Sequence, residues 1–98
     1  MPEPLISCLL VDDHEGLRVA VARGLSTFGW RCLQAAHGVQ ALELLEGDAV
    51  DIVISDIRMP EMDGVTLLDA LREHHPDVAV IMVTGVTDVS VRRIQSPL

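Results

Sequence analysis

Apolar positions along the chain form short continuous runs separated by stretches with a helical period. Leu5–Val11 (LISCLLV) is almost unbroken, the pattern of a strand covered on both faces. From His14 to Phe28 the period lengthens. Leu17, Ala20, Val21, Gly24, Leu25 and Phe28 fall on one face of a helix, and Gly29 supplies a stop. Trp30–Ala35 predicts a second strand, Val39–Leu45 a second helix ended by Gly47, and Val50–Ser55 (VDIVIS) a third strand. Arg58–Met62 is a loop broken by Pro60. Asp63 has the chemistry of an N-cap for a helix to about His74, with Val65, Leu68 and Leu71 on one side. After Pro76, Val78–Val83 (VAVIMV) predicts a fourth strand. A last helix is expected near Asp88, with Val89 and Ile94 facing inward.

Strands alternating with helices imply right-handed crossovers and a parallel sheet with helices on both faces. No repeat, low-complexity run or linker interrupts the order, and the closing SPL reads as an end. A chain of 98 residues makes one domain at most. With one Trp, one Phe and no Tyr, its core must be aliphatic.

Seven basic and fifteen acidic residues leave a formal charge of −8, which argues against a nucleic-acid or anionic-membrane surface in this segment. No apolar run has the length of a membrane span. The N-terminal MPEPLISCLL lacks the basic start and cleavage site of a signal peptide. Cys8 and Cys32 lie in apolar stretches and form neither a zinc pattern nor a disulfide framework. A cytoplasmic location is the resulting expectation.

In open parallel sheets, ligands bind beyond the carboxyl ends of the strands. Asp12 and Asp13 follow the first strand, Asp56 ends the third, and Thr84 and Gly85 follow the fourth. Any one such Asp is ordinarily a helix cap or a solvated loop residue. Three at equivalent positions in the topology predict a pocket in which a hard cation such as Mg²⁺ relieves their mutual repulsion, with Thr84 on the rim. Such a pocket suits phosphoryl transfer to a carboxylate. Spacing does not decide which Asp attacks, although Asp56 is the most central.

The run Ser55-Asp56-Ile57-Arg58-Met59-Pro60-Glu61-Met62-Asp63-Gly64 resembles the signature around the phosphorylated aspartate of response regulator receiver domains. Asp12-Asp13 resembles that family's acidic pair, and Thr84 its switch hydroxyl. The resemblance covers residues 5 to about 88. It implies a flavodoxin-like α/β three-layer sandwich, with Asp56 accepting a phosphoryl group from a sensor histidine kinase or a small phosphodonor. It also implies Mg²⁺ held directly by Asp13 and Asp56, through water by Asp12, and by the backbone carbonyl of Arg58. Thr84 would turn toward the phosphate and repack a partner-binding face. An output domain outside this segment is a further implied partner. Beyond self-phosphorylation and autodephosphorylation, no enzyme activity is implied.

Among the remaining motif residues, Pro60 is expected to shape the loop, Gly64 to permit close packing, and Met59 and Met62 to pack. His14 is expected at a helix start on the surface, since Mg²⁺ prefers oxygen ligands. His74 and His75 read as a solvated helix end. The Arg58 side chain either tunes dephosphorylation or is simply solvated.

The chain departs from the family pattern after the fourth strand. Receivers usually close with a fifth strand bearing a Lys, an aromatic switch residue and a following Pro, and then a fifth helix. This chain has no lysine: its basic residues are Arg18, Arg23, Arg31, Arg58, Arg72, Arg92 and Arg93. The expectation is therefore a single receiver domain over 1–98, C-terminally incomplete, with strand order 2-1-3-4 and the fifth strand missing. Arg92 and Arg93 would lie on the last helix, away from the pocket. The fourth strand would become an exposed apolar edge, predicting a homodimer through it or through the surface a missing helix would uncover. Two other functions compete with the phosphoacceptor switch. One is an interaction module, or inactive fragment, that keeps the fold without the switch. The other is an aspartyl-phosphate phosphatase of the haloacid-dehalogenase kind, against which Arg58 counts because those enzymes carry a second Asp there.

Overall fold

The structure is a computed structural model that describes residues 6–57, 62–84 and 90–94, with Thr84 and residues 90–94 described by backbone only. In chain order the elements are β1 (Ser7–Val11), α1 (Glu15–Ser26), β2 (Arg31–Ala35), α2 (Gly38–Gly47), β3 (Ile52–Asp56), α3 (Gly64–His74), β4 (Ala79–Thr84) and β5 (Ser90–Ile94). The sheet order is β2-β1-β3-β4-β5. Its first four strands are parallel, in the order 2-1-3-4 expected from the sequence.

Alternation along β1 explains the layers. Successive strand side chains point to opposite faces. Leu9 and Val11 join Val53, Val80 and Met82 beneath α2 (Ala41, Leu45) and α3 (Leu67, Leu71). Cys8 and Leu10 face the other way, against Ala22 and Leu25 of α1, with Ile52 and Ile54 of β3 beside them. Each face of the sheet is thus apolar, which is why the strands read as unbroken runs.

The C-terminal expectation is corrected. In place of a helix near Asp88, residues Ser90–Ile94 form a fifth strand, antiparallel to β4, with Thr84 opposite Ser90 and Val80 opposite Ile94. Arg92 and Arg93 belong to this strand. Asp88 and Val89 lie outside the described residues. The physical reason is connection length. Parallel return requires a crossover of a dozen or more residues. Only residues 85–89 separate the two strands, so the chain can only double back. Doing so pairs the backbone groups of β4 that would otherwise face solvent. β4 is therefore an interior strand, not the exposed edge from which a dimer was expected.

The inward face of α1 is corrected as well. Leu17 is 58% exposed and Phe28 70%, and Val21 also points outward, whereas Ala22 is buried and Leu25 half-buried. Arg18 fixes the rotation. Its guanidinium donates from Nη1 to the Asp12 carbonyl (2.6 Å) and from Nε to Gln34 Oε1 (3.0 Å), so the helix turns this side toward the sheet. In α3, Val65 is exposed and Leu67 fully buried beside Leu71. Gly29 ends α1 with φ +86°, a conformation that favours glycine.

Candidate functional site: a carboxylate cluster at the strand ends

Register brings the acids together. In the β1–β3 ladder Val11 stands opposite Ser55, so the next residues, Asp12 and Asp56, emerge side by side at the carboxyl edge. In the β3–β4 ladder Asp56 stands opposite Val83, which places Thr84 one residue beyond it on the same edge. One donor atom each from Asp12, Asp13, His14 and Asp56 lies within 4.8 Å of the others. Asp12 and Asp56 are half-buried and Asp13 is more open.

The turn after β1 is held from both sides. Asp12 N–H donates to the Ala35 carbonyl of β2 (3.1 Å), and its carbonyl receives Arg18. Its carboxylate accepts the His14 N–H (2.8 Å). His14 stands at the N-cap of α1 with 67% of its side chain exposed. Its Nδ1 lies 3.5 Å from Asp12 Oδ1 and 3.3 Å from Asp13 Oδ1, so a surface histidine by sequence is also a neighbour of the acidic pair.

Around Asp56 the backbone is tightly constrained. Ser55, almost wholly buried, donates its hydroxyl to the Asp56 carbonyl (3.0 Å). Ile57 N–H donates to the Val83 carbonyl (3.1 Å), and Gly64 N–H to the Ile57 carbonyl (2.7 Å). A Cβ on Gly64 would overlap the Met82 methyl and come within 2.7 Å of the Asp56 carbonyl oxygen and Ile57 Cα. The close packing expected of Gly64 is real, and what it admits is the start of α3 against the strand that presents Asp56. Met62 packs beside Gly38, where an added Cβ would meet its sulfur at 2.8 Å.

The structure thus unites Asp12, Asp13 and Asp56. Thr84 closes β4 at the same edge, and its side chain lies outside the described residues. So do Arg58, Met59 and Pro60, including the carbonyl expected to ligate the ion. Two supporting residues were not singled out by sequence reasoning, Arg18 and Gln34. Their only signal was a basic and an amide residue on elements flanking the acidic pair.

The donor set is three carboxylates and one imidazole. Carboxylate oxygens are what a hard divalent cation prefers. An octahedral ion with bonds of about 2.1 Å holds its ligands within roughly 4.2 Å of one another. The cluster is only slightly wider than that, so small side-chain rotations suffice and the residues fit Mg²⁺. Among the described residues no helix is long and apolar enough to cross a membrane.

Known proteins are similar to this chain in sequence and in fold. Residues 8–95 match the family model described as the response regulator receiver domain. The chain is 51% identical over 79 residues to the sensor kinase CckA of Brucella abortus, covering 79% of this chain and 8% of that protein. It is 38% identical over 80 residues to the DNA-binding transcriptional regulator NtrC of Escherichia coli K12, covering 82% of this chain and 17% of that one. It therefore spans less than a fifth of the length of these relatives. Among solved structures, the response regulator TrrA of Thermotoga maritima, in complex with Mg²⁺ and BeF, superposes with a TM-score of 0.78 at 28% identity, over 85% of this chain and 72% of that one. With the sheet order, the converging carboxylates and a family match spanning all eight elements, the chain belongs to the response regulator receiver domain family, the signalling module of two-component systems.

Proposed function

We propose that Asp56 is the phosphoacceptor of this domain. A carboxylate oxygen of Asp56 forms a bond to phosphorus as the phosphorus–nitrogen bond of a sensor kinase's phosphohistidine breaks and the imidazole leaves. The observation that carries this reading is the convergence of Asp12, Asp13 and Asp56 at one sheet edge. Asp13 and Asp56 would ligate Mg²⁺ directly, Asp12 would contribute through water, and the Arg58 carbonyl would complete the protein's share. When bound, Mg²⁺ supplies positive charge against the phosphoryl oxygens. The chain's own part is positional. Arg18 and Ala35 hold the Asp12 turn, and Gly64 lets α3 approach the strand that ends in Asp56. Thr84 is assigned as the switch hydroxyl that reads the phosphate and biases a two-state face.

Residues 1–98 are assigned to one domain in the cytoplasm, with a sensor histidine kinase and an output domain as partners. The family match and the single sheet support this. A phosphorylation-independent interaction module is the second reading, favoured by the lack of any lysine in the chain. Intact-mass spectrometry after incubation with acetyl phosphate separates the two. The switch requires one added phosphoryl group, lost without Mg²⁺ and lost in Asp56→Asn. A folded sample that stays unmodified throughout leaves the interaction module.

A further inference from the structure

Cys8 and Cys32 are far apart in sequence, and neither belongs to the carboxylate cluster. Both are free, and they are register partners on the adjacent parallel strands β1 and β2. Their side chains leave the same face of the sheet, and the Cys8 thiol donates to Cys32 Sγ across 3.3 Å. Adjacent strands lie about 4.8 Å apart, within the range of roughly 4.4–6.8 Å over which a disulfide joins two Cα atoms. Closing the sulfurs to a bond therefore calls for side-chain rotation, with little backbone movement.

The two thiols differ in access. Cys8 is completely buried against Leu10 and Ala22. Cys32 is half-buried on β2, the outermost strand of the sheet. We propose that this pair is an oxidation site, closing to an intramolecular Cys8–Cys32 disulfide at the expense of a low-molecular-weight disulfide, with Cys32 as the point of entry. Cys32 loses its proton to solvent and attacks one sulfur of the small disulfide, whose other half leaves as a thiolate. Cys8 then loses its proton and attacks the Cys32 sulfur, displacing the second thiolate. Two S–H bonds break, one S–S bond forms, and the small disulfide is reduced to two thiols. Burial, together with the neighbouring Cys32 sulfur, pushes the Cys8 thiol up to about 12. Cys8 is thus a poor first nucleophile, and closure should accelerate as pH rises.

The cross-link would tie the interior strand β1 to the edge strand β2 around the whole of α1. It would constrain the unfolded chain without altering the sheet register. The test is incubation of the folded protein with oxidised glutathione, followed by intact mass and a tryptic map under non-reducing conditions. The expected product is a monomer lighter by two hydrogen atoms, with peptide 1–18 joined to peptide 32–58 and released by dithiothreitol. Its thermal midpoint should rise by roughly 10 °C or more. In Cys8→Ala the reaction should stop at a glutathione adduct on Cys32, and in Cys32→Ser the remaining thiol should stay unmodified. A persistent glutathione adduct in the wild type, a disulfide between two chains, or a cross-link that forms only in denaturant would overturn the proposal. Circular dichroism establishes that each variant is folded, and the wild-type map decides by itself should a variant fail to fold.

Discussion

At the scale of single residues, the candidate site depends on groups that hold it as much as on those that would react. Gly64 is the sharpest case, because any side chain there meets the backbone that follows the acceptor strand. Gly64→Ala should destabilise the domain by about 1–3 kcal/mol, the usual cost of overpacking, measured by urea unfolding. Phosphoryl uptake should fall with it. Arg18 acts from the other side, through a charge-assisted bond to the Asp12 carbonyl. Arg18→Ala removes a bond worth about 1 kcal/mol, so Mg²⁺ affinity measured by calorimetry should weaken roughly fivefold. Unchanged affinity would show that the turn is held without Arg18. The acids and Gly64 were legible in the sequence because their types and spacing follow from where strands end. Arg18 was not, because nothing in a helical pattern says which basic residue faces a turn.

At the scale of elements, capping separates what was readable from what was not. Asp63 was an evident N-cap, and it accepts the Thr66 N–H at 2.8 Å at the start of α3. His37 caps α2 through Nδ1, accepting from Gln40 N–H at 3.2 Å, while Gln40 Oε1 accepts from Ala36 N–H. This resembles a capping box, with histidine in place of the usual hydroxyl or carboxylate cap and with the return bond reaching the residue before the cap. The hydrogen bonds to Thr66 hold the Asp63 carboxyl below its ordinary 3.8. A depressed folded-state value means that the stabilisation is present above the unfolded value and is lost as pH falls through the folded one. Asp63→Asn keeps a capping oxygen but cannot titrate. Its unfolding midpoint should therefore approach that of the wild type as the pH is lowered below about 4. Parallel curves for the two proteins across that range would show that the cap contributes nothing that titrates. α1 was read with its stripe rotated, since periodicity finds an apolar face but tertiary bonds such as those of Arg18 choose which side is buried.

At the scale of the whole molecule, the decisive feature is the edge beyond β4. The hairpin to β5 satisfies that edge within the chain, which removes the surface first expected to pair with another copy. Apolar surface remains elsewhere: Leu17, Val21 and Phe28 on α1 are exposed, and Ile52 and Ile54 of the central strand β3 are only half-buried. We assign any self-association to this apolar surface and not to strand exchange at β4. Sedimentation equilibrium should give a dimer that Phe28→Asp dissociates, since Phe28 is too exposed for its replacement to disturb the core. A monomer at every concentration would remove dimerisation from this domain.

By itself the sequence determined the parallel α/β alternation and the placing of three aspartates after strands at one sheet edge, while its resemblance to receiver domains implied the strand order 2-1-3-4. The alternation and the placing follow from local periodicity, a property of the chain read in order. Only the tertiary structure decided the face α1 buries, the antiparallel return of Ser90–Ile94 and the meeting of Cys8 with Cys32. Each of these depends on which atoms become neighbours across the fold: a guanidinium beside a turn, an unpaired strand edge beside a short connection, and two thiols brought opposite one another by strand register.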